Sequence, residues 1–246
     1  MSEDFFVLYD TLLAEVGNNA PVLSAVTGPW WSGVETEASM GLAMTVPGRS
    51  IAPLLAYGME GLPLSEAAKA VKSWNYEEAS LGMAAMNAAL NTSERVRCLG
   101  AEADYDCYCT SGIDLRGKVV GLVGHLHPPE GALEDAEKVY ILEREPQKGD
   151  YPDPACDLLL PCCDVVLITG SALTNKTLPH LLTLCRRAQV ILTGPSVPLC
   201  PALLDFGIDR LAGMAVTDRQ GMHEQIVSGR PGSPYSHGRS FLLKRE

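Results

Sequence analysis

Val165-Val166-Leu167-Ile168-Thr169-Gly170-Ser171 and Val190-Ile191-Leu192-Thr193-Gly194-Pro195-Ser196 are two versions of one pattern, the second following 24 positions after the first. Each is an apolar, β-branched run that ends in Thr-Gly and reaches a serine within two residues. Short runs of this kind bounded by turn residues read as buried parallel strands. The helix-like segment between them, Leu181-Leu182-Thr183-Leu184-Cys185, completes a βαβ unit. In open α/β sheets ligands collect beyond the carboxyl ends of the strands. The two Thr-Gly turns therefore locate a site without naming its ligand.

Further strands extend the same sheet. Val119-Val120-Gly121-Leu122-Val123-Gly124 reads as the first, Lys138 to Glu143 as the second, and Leu211 to Val216 as a fifth beyond the Thr-Gly pair. The order strand, helix, strand predicts an α/β Rossmann-like domain with a parallel sheet over residues 118–246. The chain before it is organised differently. Val22 to Gly28, Ser32 to Thr36 and Met40 to Thr45 form a short meander. A helix over Ser65 to Ser73 follows, with Ser65 as its cap, and then one opened by the capping-box pair Asn75 and Glu78 and running to Leu90. Strands followed by helices predict a small α+β domain over 1–95, with 96–117 as a linking segment. The Gly/Pro/Ser-rich stretch 228–238 reads as a surface loop.

Composition narrows the function classes. Of 246 residues 46% are hydrophobic, enough for a substantial core, and the formal net charge is −11. That charge repels phosphate backbones and anionic surfaces, and no basic block offsets it, so neither nucleic acid nor a membrane is an expected partner. No apolar run approaches the roughly 18 to 20 residues that span a bilayer, and Met-Ser-Glu-Asp lacks the basic start of a signal peptide. A cytoplasmic setting is the expectation. The eight cysteines then read as reduced thiols, several of them core fillers, rather than as a disulfide framework.

Several constellations carry chemistry. Gly124 closes the first strand, and Glu143 stands 19 residues on, at the end of the second. This is the spacing at which an acidic side chain reaches a ribose hydroxyl, although the full Gly-x-Gly-x-x-Gly fingerprint is absent; a plain ion pair with Arg144 is the structural alternative. His125 and His127 sit two apart in extended chain and place two imidazoles on one side of a loop, a pattern suited to a transition metal ion. Pro128 and Pro129 stiffening that loop is the alternative reading. Cys162-Cys163 and Cys107-x-Cys109 are thiol pairs without the Cys-x-x-Cys spacing of a structural zinc site. After the Thr-Gly turns, Thr177 before Pro179 and Ser196 before Pro198 read as helix caps whose free amides can also hold an anionic oxygen. No Walker loop, nucleophile elbow or His-Glu-x-x-His helix is present.

The segment Asp164 to Thr177, with Gly194-Pro195-Ser196-Val197-Pro198 and Leu211-Ala212-Gly213, resembles the family of putative heavy-metal chelation proteins. Gly41 to Thr45 and Gly82 to Ala88 resemble the domain that precedes it in that family. The resemblance implies an enolase N-terminal-like α+β domain joined to a Rossmann-like domain, with a ligand pocket between them. Matched residue by residue, Glu143, Thr169, Gly170, Ser171, Asn175, Thr177, Gly194, Pro195 and Ser196 become pocket positions, joined by Gly124, and by Asn87 from the first domain. The expected ligand is a small anion or a metal complex, with His125 and His127 as metal donors. The rival readings are an enzyme acting on a nucleotide-like or adenosyl-type molecule, and a non-catalytic partner in metal uptake or cofactor assembly; homo-oligomerisation is left open. Enolase chemistry does not follow, because the barrel that holds enolase's magnesium has no counterpart here.

Overall fold

The structure, a computed structural model, describes residues 3–17, 20–55, 57–103 and 112–245. Cys107 and Cys109 lie outside the described residues. In chain order the helices and strands are α1 (Val7–Val16), β1 (Ser24–Thr27), β2 (Trp31–Glu35), β3 (Met40–Met44), α2 (Leu64–Ala67), α3 (Tyr76–Leu90), α4 (Ser93–Cys98), β4 (Glu102–Ala103), β5 (Val119–Val123), β6 (Lys138–Glu143), β7 (Tyr151–Pro152), α5 (Cys156–Leu159), β8 (Val165–Thr169), α6 (Ser171–Thr174), α7 (Leu178–Leu184), β9 (Gln189–Thr193), β10 (Arg210–Val216), α8 (Arg219–Ser228) and β11 (Gly238–Lys244).

The meander is a three-stranded antiparallel sheet, β1-β2-β3. The eight-stranded sheet runs β4-β11-β10-β9-β8-β5-β6-β7. Pairing is parallel from β10 through to β7, while β11 lies antiparallel against β10 and β4 antiparallel against β11. The chain is therefore mixed α/β. Alternation along the strands sorts the core: Val166 and Ile168 join the large cluster shared with α1 and α3, while Val165 and Leu167 pack with Leu115, Leu122 and Ile191 on the opposite face.

Local chemistry departs from the sequence reading at several points. Pro63, not Ser65, flanks the start of α2, which is one turn long and passes into a 3₁₀ turn over Ala68–Lys72. Asn75 does cap α3, its Oδ1 accepting from Glu78 N at 3.2 Å, but the reciprocal half of the box is absent. The Glu78 carboxylate instead accepts from Leu54 N and Leu55 N, both at 2.7 Å, and so ties the long 44–63 connection to the helix. Residues 124–137 between β5 and β6 hold turns rather than a crossover helix, as Pro128, Pro129 and Gly131 would dictate. α1, α8 and β11 are elements that the strand pattern does not announce, and β4, inside the supposed linking segment, is the outermost strand of the large sheet. Among the described residues no helix is long and apolar enough to cross a membrane.

The two sheets are joined through α3. Gly41 of β3 lies directly against it: a Cβ there would come within 2.1 Å of Ala84 O and Ala88 N. From the same helix, Asn87 Nδ2 donates to Leu42 O at 2.8 Å and Ser196 O at 3.1 Å. One turn on, Asn91 Nδ2 donates to Val197 O at 2.8 Å and Met214 O at 3.1 Å, and its Oδ1 accepts from Leu199 N at 2.8 Å. Both side chains are buried, and a buried amide severed from its partners costs the desolvation of each group left unmade. Asn91→Ala should therefore lower unfolding free energy by about 3 kcal/mol, read from urea denaturation; a loss below about 0.5 kcal/mol would mean that this amide does not join the two parts.

Candidate functional site

Strand order reverses at β5: the chain steps from β5 to β6 on one side and returns with β8 on the other. The carboxyl ends of β5 and β8 thus frame the crevice where open α/β sheets take their ligands. Register aligns Val123 with both Leu142 and Ile168, and Thr169 with Thr193, so Gly124, Glu143, Gly170 and Gly194 share one edge. Gly124 adopts φ +99°, and a Cβ there would meet the Thr169 side chain at 2.9 Å. Only glycine satisfies that conformation and that closeness together.

The two Thr-Gly turns are bound to each other. Gly170 N donates to Thr193 O at 2.8 Å, and Gly194 N donates to Ala212 O at 3.0 Å. Thr169 Oγ1 and Ser171 Oγ are 3.1 Å apart, a hydroxyl pair at the mouth of the crevice. Ser196 and Thr177 are not side-chain caps. Ser196 Oγ accepts from Met44 N at 2.8 Å, linking the Gly194-Pro195-Ser196 turn to the end of β3. Asn175 Oδ1 accepts from Thr177 N at 3.1 Å and Thr177 Oγ1 at 2.6 Å, closing a local turn before α7. Asn87 Oδ1 is buried without a partner.

At the β5–β6 end, two carboxylates hold the histidine loop. Glu143 accepts from His125 N at 2.6 Å and Arg144 N at 2.7 Å. It therefore takes Arg144's backbone rather than its guanidinium, and both its oxygens are engaged. His125 Nδ1 lies 3.0 Å from Asp150 Oδ2, an oxygen that also accepts from Gln147 N at 2.9 Å. A carboxylate only accepts, so Nδ1 donates to it and Nε2 is the ring nitrogen left outside this pair. The His127 ring stands edge-on to His125 with centroids 4.9 Å apart. This is the outer-shell arrangement that orients a metal-binding imidazole. Among the described residues no group of three or more His, Cys, Asp or Glu gathers within reach of one ion, so those residues offer the two imidazoles and no third donor beside them.

The thiols among the described residues do not supply one. Burial pushes Cys156 and Cys185 up to about 12 and Cys163 up to about 11. Cys163 Sγ donates to Leu159 O at 3.3 Å, as a residue at the end of a helical turn. Cys98 and Cys162 are exposed. Iodoacetamide at pH 8 should accordingly label Cys98 and Cys162 within minutes while Cys156, Cys163, Cys185 and Cys200 stay unmodified in the folded chain, read by peptide mass mapping. Prompt labelling of the buried four would contradict this packing.

Lys176 is the residue that the sequence pattern missed. It follows Asn175 in the α6–α7 turn with φ +65°, the one described non-glycine residue in the left-handed region, and is only 4% exposed. Its Nζ donates to Thr174 O at 2.8 Å and stands 5.5 Å from the Tyr76 ring at the start of α3. Desolvation lowers its amine from 10.5 to about 8, against a weaker opposing pull from Glu78. Between those values the unfolded chain binds the extra proton, so Lys176's contribution to stability grows as pH rises through that window. The stability of the wild type relative to Lys176→Met should increase by on the order of 3 kcal/mol from pH 7.5 to pH 10.5; parallel urea curves at the two pH values would refute the buried-amine assignment.

Two open cavities lie outside this cluster. One, of about 340 Å³, is lined by Phe5, Leu8, Pro179, Leu182 and Arg186 among others. The other, of about 550 Å³, lies beyond the end of β10 between Glu35 and the first turns of α8. There Arg219 donates to Thr36 O at 3.1 Å and Glu37 O at 2.9 Å.

Comparison with known proteins fits this architecture. The DUF364 family profile, described as "Putative heavy-metal chelation", matches residues 112–242, and a second profile of the same description, DUF4213, matches 9–90. The chain belongs to this family. The crystal structure of a family protein of unknown function from Desulfitobacterium hafniense DCB-2 is 36% identical, superimposes with a TM-score of 0.88 and covers 98% of both chains. Another, from Pyrococcus horikoshii, is 24% identical with a TM-score of 0.80, over 98% of this chain and 99% of that one, a likeness of fold. An uncharacterized protein of Methanocaldococcus jannaschii is 31% identical over 162 residues, 63% of this chain and 61% of that relative's length.

Proposed function

We propose that the protein binds a metal ion as an anionic complex, at the crevice between the ends of β5 and β8 and the adjoining histidine loop. The observation that carries this reading is the His125–Asp150 pair, with His127 beside it. One imidazole is aimed by a buried carboxylate, and two donors are available where four or more complete a coordination shell. A metal held there brings its remaining donors with it. His125 Nε2 and His127 hold the cation, and the Thr169–Ser171 hydroxyls face the polar part of the accompanying ligand. Asn175, Thr177 and Ser196 shape the crevice by bonding within the chain, and Asn87 supports it from α3.

The finer architecture belongs to the same proposal. The strand meander followed by helices supports an enolase N-terminal-like first part, and the switch in strand order at β5 supports a Rossmann-like second part. Cysteines that are free among the described residues fit a reducing, cytoplasmic setting. The nucleotide reading is weaker, since Glu143's oxygens are already taken by two backbone amides.

Titration calorimetry with zinc chloride and with preformed zinc citrate tests the reading. Zinc citrate should bind more tightly than free zinc, and the His125→Ala, His127→Ala double variant should lose at least about tenfold in affinity while melting within a few degrees of the wild type. Equal binding by the double variant would remove the histidines as donors, and an adenosyl compound that stabilises the chain where zinc citrate does not would favour the nucleotide reading.

A further inference from the structure

Lysines are almost never fully buried without a counter-ion, yet Lys176 has no carboxylate within ion-pair distance among the described residues. The nearest candidate, Glu78, spends its oxygens on Leu54 N and Leu55 N. An ammonium carries three donors, and the structure gives this one a single acceptor, Thr174 O. On the same threonine, the fully buried Oγ1 has no hydrogen-bond partner among the described residues. Two under-bonded polar groups thus stand two residues apart where the two parts touch: Thr174 ends α6 and Lys176 follows it, and Tyr76 and Glu78 come from the first turn of α3. The left-handed backbone at Lys176 is a strained conformation of the sort held at ligand clamps.

We infer that Lys176 Nζ and the Thr174 hydroxyl form an oxyanion site, in which a carboxylate or phosphate oxygen of a small ligand is the missing counter-ion of the buried lysine. The inference rests on the proposed reading that the ligand held beyond the ends of β5 and β8 is anionic, and the α6–α7 turn lies one short helix beyond β8. It adds the charge that selects for that molecule in a chain of net charge −11. The ammonium donates two hydrogen bonds to the oxyanion, Thr174 donates a third, and the Tyr76 ring face flanks the cation. Other titratable groups near the amine are Glu78, engaged as above, and Tyr9. The Tyr9 hydroxyl donates to Leu173 O at 2.8 Å, and burial pushes that phenol upward.

The experiment uses metal-free citrate and inorganic phosphate as probes, titrated calorimetrically into the full chain at pH 7.5 and pH 9.5. Wild type should bind at least one of them and weaken about tenfold or more at the higher pH, as the amine loses its proton. Lys176→Met should lose about tenfold or more at pH 7.5 and show no pH dependence across this range. Thr174→Val, which removes a buried unpaired hydroxyl, should stay folded and bind several-fold more weakly. Folded Lys176→Met or Thr174→Val that binds both anions like wild type overturns the assignment while leaving the crevice reading intact. A wild type that binds neither anion overturns it as well, and if zinc citrate also fails to bind, both readings fall together.

Discussion

Everything in this molecule hangs on the close approach of α3 to both sheets. Gly41 lets β3 lie on the helix at backbone contact, and Asn87 and Asn91, one turn apart, reach across to the Ser196–Leu199 segment and to β10. The helix can come so near because its inward positions are small: Ala79, Ala84, Ala85 and Ala88 are fully buried. Where these small residues face the sheets, backbone carbonyls on both sides come within range of an asparagine amide. Each buried bond has a large penalty for being broken, so the two parts are set at one mutual position.

That position decides what the sheet edge can do. The Gly194-Pro195-Ser196 turn is pinned to β3 through Met44, and the α6–α7 turn meets Tyr76 at the opposite end of the same helix. The Thr169–Ser171 hydroxyls and Gly124 stand together at the same sheet edge. Charge is spent unevenly around them. Glu143 and Asp150 are consumed in holding the histidine loop, whereas Lys176 is buried without an equivalent carboxylate. In an acidic chain an isolated lysine of this kind is the point suited to the proposed anion, because long-range steering works against one elsewhere.

How much of this was legible from residues alone differs by element. The central strands were plain, since parallel strands covered on both faces must be apolar throughout, as Val165 to Thr169 and Val190 to Thr193 are. α8 was hidden because only Met222 and Ile226 of its ten residues are buried, and β11 because its apolar stretch is three residues long within a polar context. Glu78 illustrates a subtler failure. The capping-box spacing is present, yet the carboxylate gains more from two amides of a distant loop than from one amide at its own helix end. Ser196 and Thr177 read as caps for the same local reason, yet their oxygens go to other partners.

The sequence by itself determined the meander and the central parallel strands, the shared edge of Gly124, Glu143, Gly170 and Gly194, the mixed α/β class and the two imidazoles of the loop. These follow from periodicity and from steric rules that act over a few residues. Only the tertiary structure decided that Asp150 stands behind His125, that Asn87 and Asn91 join the two parts, and that Lys176 is buried beside an unpartnered threonine hydroxyl. Each of those facts is a meeting of groups far apart in the chain, and the free energy of such a meeting depends on burial and on which partners are left over, quantities that exist only once the layers have packed.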